Sequence, residues 1–425
     1  MTSSHARSPA SGNDLAVQRR QTKQDRSAVR QQRITQGAII AISDYGIAGM
    51  THRSVANKAG VSLAATTYYY ATKNDIIADA SRELLDGYVA AFHRFADKHR
   101  GNANRPTFRD FAFKLVLNAM DKHSVASVAW CEIIANISRQ PELGHLARDW
   151  FSALHEVWQE IAGVLGADDA EGAVTSAIDT VIGFLFILLP LRLTESEAHS
   201  LLFGAGGDPA PHFPAPPPVS PAKGKKAAET RERILAAATD ILIDEGAEAL
   251  SFRRVAERAG LTPAAPTYYY PSISTLSNAA QQRLFENSKT RYRSVMSAID
   301  YARLDLDQLV DVTTTIFLRE ATEFRDLSRA SYPVYIQSRR DPVLRAGLWG
   351  LDEEQRRRWL QVLATVMPGS SPLYAWIMPA LFIGKLIRIL SMGGDMELLA
   401  KVRTEFAYDL GAMAKDQHWS SSKQK

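Results

Sequence analysis

Residues 51–70 read THRSVANKAGVSLAATTYYY, and residues 251–270 read SFRRVAERAGLTPAAPTYYY. In the first stretch Thr51 can cap a short helix whose apolar face is Val55, Ala56 and Ala59. Small alanines there let another helix come close. Gly60 supplies the left-handed residue that ends this helix. Ser62 then caps a second helix, Leu63 to Tyr69. Two short helices joined through a glycine-containing turn form a helix-turn-helix. The second stretch repeats the arrangement with Ser251, Val255, Ala256, Gly260 and Thr262, and Pro263 follows the cap, where proline suits a helix start.

The likeness extends outward. Arg33 to Ala80 aligns without a gap on Arg233 to Ala280, and 17 of the 48 positions are identical. Arg33/Arg233, Gly46/Gly246, Arg53/Arg253 and the tyrosine triplets 68–70 and 268–270 are among them. A weaker echo lies downstream, where SRQPEL at 138–143 resembles SRRDPVL at 338–344 with one residue inserted. The pattern is an internal duplication of units of about 200 residues. Ile34, Ala38, Ile42 and Tyr45 recur at helical spacing before Gly46, as do Ile234, Ala238, Ile241 and Leu242 before Gly246. Further amphipathic segments follow at roughly 73–99, 107–121, 125–138, 142–164 and 168–195, and none alternates as a strand would. The expected fold is all-α.

Between the units, residues 204–230 hold seven of the chain's 19 prolines, which favours extended polyproline geometry over helix. The expected organisation is a disordered basic tail at 1–29, a helix-turn-helix domain at 30–75 and a helical regulatory domain at 76–203. A linker at 204–229 then leads to a second helix-turn-helix domain at 230–275, a second helical domain at 276–416 and a short tail at 417–425.

Composition narrows the function. With 425 residues, 46% hydrophobic and 23% charged, the chain has the profile of a globular protein of two or three domains. Its one cysteine, Cys131, excludes an intrachain disulfide and a cysteine-based zinc site. The N-terminus has no apolar core like that of a signal peptide, and the apolar runs at 181–191 and 374–390 read as buried helices, so a cytoplasmic protein with no membrane partner is expected. The histidines are scattered, no phosphate loop or nucleophile motif is present, and no catalytic residue, metal or cofactor is expected. The net charge of +4 is too small to identify a partner by itself.

Both units resemble the TetR family of transcription regulators, on SVANKAGVSLAATTYYYATK and its second copy. The resemblance covers about 50 residues in each half. It implies that the second motif helix enters the major groove of an operator and that the remaining helices form a dimerising, often ligand-binding, domain. On the matching positions it implies contacts to phosphate and base from Thr51 and Arg53. Leu63, Ala64, Thr67 and Tyr68 would face the groove, and Tyr69 and Lys73 would contact phosphate. Ser251, Arg253, Thr267, Tyr268 and Tyr269 would serve likewise in the second copy. The residue chemistry agrees. Arginine pairs bidentately with guanine, alanine and threonine methyls suit thymine, and tyrosine and lysine fix register on the backbone.

The second copy departs from the pattern. Ile273 stands where Lys73 does, Pro266 falls inside the recognition helix, and no basic residue lies between Thr262 and Gln282. Residues 23–60 carry a net charge of +4 (six basic, two acidic), against +1 for residues 223–260 (eight basic, seven acidic). Phosphate neutralisation provides much of DNA affinity, so the first copy is expected to dominate binding. Leu63, Ala64, Thr66 and Thr67 stand opposite Pro263, Ala264, Pro266 and Thr267, so the copies should present different surfaces. Arg19, Arg20, Arg26 and Arg30 read as solubility residues or as a minor-groove arm.

The apolar segments 174–195 and 372–392 are expected to build an interface between the units, making an intrachain pseudo-dimer, with a homodimer of tandem chains as the other assembly. Trp130, Trp150, Trp158, Phe184 and Phe186 read as packing, or as the lining of a cavity for a small apolar effector. The resulting expectation is a ligand-responsive repressor. The other reading is a ligand-sensing or protein-interaction module with degenerate DNA-binding domains.

Overall fold

Glycines, caps and prolines divide the chain into helices in the same order twice. The computed structural model describes residues 12–167, 170–204, 224–297, 300 and 303–415, and all regular elements among them are helical. The first half contains α1 (Gly12–Gly49), α2 (His52–Ala59), α3 (Leu63–Tyr69), α4 (Lys73–His99) and α5 (Phe108–Met120). It continues with α6 (Ser124–Ile137), α7 (Gly144–Leu165), α8 (Ala170–Leu191) and α9 (Glu195–Phe203). The second half contains α10 (Lys225–Asp244), α11 (Phe252–Ala259), α12 (Ala265–Tyr269), α13 (Ile273–Ser297) and α14 (Leu306–Ala321). Then come α15 (Arg325–Gln337), α16 (Pro342–Val366), α17 (Tyr374–Ser391) and α18 (Met396–Ala414).

Three expectations are corrected. The segment expected to be a disordered tail at 1–29 is helical from Gly12 onward, as part of α1. It lacks an apolar stripe, but residues 13–36 contain no proline or glycine and are rich in Gln and Arg, which extend a helix once it is nucleated downstream. Residues 1–11 and the tail from 416 lie outside the described residues. The linker expected at 204–229 is shorter: Gly204 caps α9 at φ 66°, and α10 already begins at Lys225. Residues 205–223, with all seven prolines, lie outside the described residues. Thirdly, α12 does not start at the Thr262–Pro263 cap. It begins at Ala265, and Pro266 sits in its first turn, where a missing N–H breaks no helical bond.

Helix α8 crosses α17 at the centre of the molecule. A Cβ built on Gly183 would stand 1.7 Å from the Ala380 carbonyl oxygen, and one on Gly384 would stand 1.7 Å from that of Asp179. The two contacts are reciprocal, because Gly183 and Gly384, like Asp179 and Ala380, differ by the same shift of 201 positions. Both helices are long and apolar enough to cross a membrane by composition alone, yet 94% of each apolar window is buried inside the protein. One apolar cluster runs from α1 through α8 and α17 to α18. The core of the second helix-turn-helix, built on Ile234, Ile241, Val255 and Tyr270, is a separate and smaller cluster.

Beside the crossing lies a buried ion cluster. Arg388 donates from Nε to Asp179 Oδ1 (2.7 Å) and from a terminal nitrogen to Oδ2 (2.9 Å). Lys385 Nζ donates to the same Oδ2 at 2.9 Å and to Glu405 at 2.5 Å, and Arg388 also reaches Glu405 at 2.8 Å. Asp179 and Lys385 are fully buried. Burial works against the Lys385 charge, but the surrounding carboxylates outweigh it and raise its pKa. Burial likewise opposes ionisation of Glu405, and the two cations overcome it and hold Glu405 at about 2. Burial lifts Asp409, 3.8 Å from Lys385, to about 7. The first half supplies one anion to this cluster and the second half supplies both cations. The positions equivalent to Lys385 and Arg388 in α8 are Phe184 and Ile187.

Candidate nucleic-acid interface

The start of α2 is fixed by a reciprocal cap. Thr51 Oγ1 accepts from the Ser54 amide (3.1 Å), and Ser54 Oγ accepts from the Thr51 amide (2.8 Å). Gly60, at φ 63°, ends the helix by donating to the Ala56 and Asn57 carbonyls. Arg33 clamps this turn to α1 with bonds to Ala59 O (3.0 Å) and Gly60 O (3.2 Å), and Arg233 does the same at Ala259 and Gly260. That shared task accounts for the identity of Arg33 and Arg233 in halves that otherwise differ. Ser62 Oγ accepts from the Ala65 amide at 3.2 Å and sets the start of α3. In the second half Ser251 Oγ caps α11 through the Arg254 amide (3.2 Å), and Gly260 has φ 62°.

These caps turn the same residues outward in both halves. Thr51, Arg53, Leu63, Ala64, Thr67 and Tyr68 are exposed, as are Ser251, Arg253, Thr267 and Tyr268. Thr66 and Pro266 are buried, which corrects their inclusion in the presented surface. Thr66 Oγ1 turns back to the Leu63 carbonyl at 2.8 Å. The tyrosine triplets are graded. Tyr68 and Tyr268 are 82% and 85% exposed, Tyr69 and Tyr269 are half-buried, and Tyr70 and Tyr270 are core residues. Tyr69 is tied to α1 by Ser27 Oγ at 2.8 Å. Tyr70 bonds to Asp79 and to Thr35 (3.0 Å), and burial with the Asp79 carboxylate pushes its hydroxyl up to about 12. The second half has Leu235 and Ala279 at the positions of Thr35 and Asp79.

Charge separates the two faces. Arg53 has no hydrogen bond or ion pair among the described residues. Arg253 is held by Glu257 at 3.1 Å, Arg254 by both oxygens of Glu245 (3.1 and 3.0 Å), and Arg258 by Asp244 (2.7 Å) and Glu245 (2.6 Å). The basic surplus of α11 is therefore matched locally. Lys73 is half-buried at the start of α4 and reaches Glu248 of the second half at 2.5 Å. Arg26 and Arg30 lie on the exposed part of α1.

Behind these faces, the halves differ in their interiors. In the first, Trp130, Trp150 and Trp158 close around a cavity of about 50 Å³. Trp130 and Trp150 meet edge-on at 5.7 Å, and Trp150 Nε1 donates to Ser81 Oγ at 2.9 Å. Phe184 and Phe186 are fully buried, the latter against Tyr332 of the other half at 6.2 Å between centroids. In the second half a cavity of about 120 Å³ lies between α13, α14, α15, α16 and α17, with Phe285, Tyr332, Tyr335, Trp359 and Phe382 on its walls. One edge is polar: Arg291 forms two 2.8 Å bonds to Glu320, which also accepts from Ser328 Oγ at 2.9 Å.

Residues 234–280 match the sequence family described as bacterial regulatory proteins, tetR family, and residues 304–408 match the tetracyclin repressor-like C-terminal domain. Over its second half the chain is thus similar to both domains of a TetR-family regulator. The two matches fall in order on the second half. The helix-turn-helix at 51–70 has the same turn glycine and the same pattern of burial from residue 61 to 70 as the one at 251–270, which lies in the matched segment. Over 127 residues the chain is 27% identical to the HTH-type transcriptional regulator BetI of Cronobacter sakazakii (strain ATCC BAA-894), a match taking in 28% of this chain and 59% of BetI. The chain thus spans little more than half the length of that curated relative. A solved transcriptional regulator of Streptomyces coelicolor A3(2) is 22% identical and covers 41% of this chain and 99% of its own, with a TM-score of 0.31.

Two features of this chain escaped the sequence reading. A cavity of about 120 Å³ lies in the second half, whereas the tryptophans drew attention to the first. Asp179 and the pair Arg139 and Arg340 bridge the halves, and their partners lie about 100 to 300 positions away. The echo of SRQPEL in SRRDPVL was the available signal for the arginines.

Proposed function

We propose that the chain is a sequence-specific DNA-binding transcription regulator in which two TetR-like units, related by tandem duplication, form a pseudo-dimer within one chain. The exposed face of Thr51, Arg53, Leu63, Ala64, Thr67 and Tyr68 reads the operator, and Arg53 is the observation that carries this reading. It is a guanidinium held outward by a capped helix with no local partner, free to pair with a guanine edge or a phosphate. The second face reads more weakly, because Arg253 must leave Glu257 before it can meet DNA. Pairing through α8 and α17 is heterotypic by charge. Two first halves would bring two Asp179 side chains together without a cation, and two second halves would gather four cations without that carboxylate. A linker that spans the distance raises the effective concentration of one half about the other to roughly millimolar, favouring the intrachain pair. The second-half cavity is the place for a small, largely apolar effector with one polar group, and its occupancy would release the operator as a repressor does.

The test is titration against the chain's own upstream DNA over a range of salt. Binding should weaken steeply with salt. Arg53→Ala should cost about 1–3 kcal/mol, and Arg253→Ala should cost less. An equal or larger loss from Arg253→Ala would reverse the ranking of the two faces. Absence of salt-dependent binding would favour an interaction module with degenerate DNA-binding domains.

A further inference from the structure

Each half holds the other half's helix-turn-helix through an arginine. Arg340 lies in the 3-10 turn Ser338–Arg340 that directly follows α15. It crosses to the first half and donates to the carbonyls of Ile42 (3.3 Å), Ser43 (2.9 Å) and Asp44 (3.0 Å), where the regular part of α1 ends before Gly46. It also pairs with the buried Glu132 at 2.8 Å, and Glu132 in turn accepts from the Ile47 amide at 3.3 Å. Arg139, in the corresponding turn of the first half, reaches the Ile243 carbonyl at the end of α10 at 2.7 Å. Ser43 and Ile243 are equivalent positions, so the two clamps cross. A cation on the free carbonyls of a helix C-terminus is well placed by hydrogen bonding and by the helix dipole. The clamps are unequal: the one on the first half has three carbonyls and a buried carboxylate, while Arg139 has one carbonyl.

Helix α15, which ends at the Arg340 turn, also forms a wall of the second-half cavity with Ser328, Ser331, Tyr332 and Tyr335. Ser338 Oγ bonds back to the Tyr335 carbonyl at 2.7 Å, which ties the turn to the end of the cavity wall. We propose that the second-half cavity governs the DNA-reading domain of the first half, in trans, through α15 and Arg340. This rests on the reading of residues 51–70 as a DNA-reading face and names how that face is regulated. The competing route runs in cis along α13, which starts just after α12 and lines the same cavity with Phe285 and Arg291. The trans route acts on the domain with the unpaired Arg53. It also acts on the domain whose core is continuous with the main core, whereas the second has its own. By linkage, operator binding at the first domain would in turn alter the cavity.

Hydrogen–deuterium exchange on the full chain without DNA tests this, with Ser331→Phe standing in for an occupied cavity. Exchange at residues 42–69 should rise roughly tenfold in Ser331→Phe, within the range of coupled sites, while residues 242–269 change little. Arg340→Ala should produce the same pattern, and the double variant should show no further rise. Glu132→Gln, isosteric and neutral, should loosen 42–69 alone if Ser331→Phe does not fold. A Ser331→Phe response confined to 242–269, or effects of Ser331→Phe and Arg340→Ala that add independently at 42–69, would overturn the trans route, as would a Glu132→Gln variant with unchanged exchange. Because no DNA is present, failure of operator binding leaves this result standing. Salt-dependent binding combined with a cis response would sink only the coupling.

Discussion

Gly384→Val should abolish the central contact of the molecule, with a loss of at least about 3 kcal/mol, the upper end of what overpacked cores show. At most buried positions a larger side chain can find space by rotating its neighbours. Here the atom in the way is the backbone oxygen of Asp179, 1.7 Å from where the Cβ would lie, and no rotamer moves it. The two helix axes must separate, and the reciprocal contact at Gly183 must open with them. Separation also pulls Asp179 away from Lys385 and Arg388. Urea unfolding followed by circular dichroism measures the loss. Gly411→Ala, in α18 where a Cβ meets nothing within 4 Å, is the control and should be neutral or slightly stabilising. An unchanged midpoint for Gly384→Val would mean that α8 and α17 do not meet at these glycines.

Asp179→Asn should cost about 3–5 kcal/mol, the range for removing one partner of a buried ion pair. The variant keeps the shape but leaves Lys385 and Arg388 buried against Glu405 and, once it ionises, Asp409. The loss should depend on pH in a defined direction. In the parent, Asp409 has its pKa raised to about 7, so the folded state holds a proton there that the unfolded state gives up near 4. Its contribution is therefore largest at acid pH and falls as pH rises through that window. Glu405 is depressed to about 2, so its contribution is present above about 4.3 and is lost only as pH falls through about 2. Between pH 6 and 8 the parent cluster goes from two anions against two cations to three against two. The variant instead gains a balancing anion as Asp409 ionises. The deficit should thus be smaller at pH 8 than at pH 6, as denaturant midpoints at the two pH values would show. A deficit that grows with pH would mean that Asp409 does not face these cations.

Local chemistry made the helix-turn-helix legible. Thr51, Gly60, Ser62 and Ser251 act within a few residues of themselves, and their caps lie where the residue types place them. The graded burial of the tyrosine triplets follows from helical geometry, which cannot turn three consecutive side chains the same way. Pro266 misled because a proline inside a motif helix reads as a break, whereas the helix starts later and absorbs it. The interdomain features were hidden for another reason. Asp179 looks like one acidic residue in an apolar helix until Arg388 is placed beside it. The resemblance implies a phosphate contact for Lys73, and nothing in its neighbourhood announces Glu248, 175 residues away. The second-half cavity is a property of packing: Phe285, Tyr332 and Trp359 read one by one as core.

The most direct test of a single chain that reads one operator with two unequal faces is the mass of the protein–operator complex. Native mass spectrometry at nanomolar concentration on the duplex recovered from the titration should give one chain of 46.9 kDa per duplex. Two chains per duplex as the stable species would contradict the intrachain pair and leave a homodimer of tandem chains in its place.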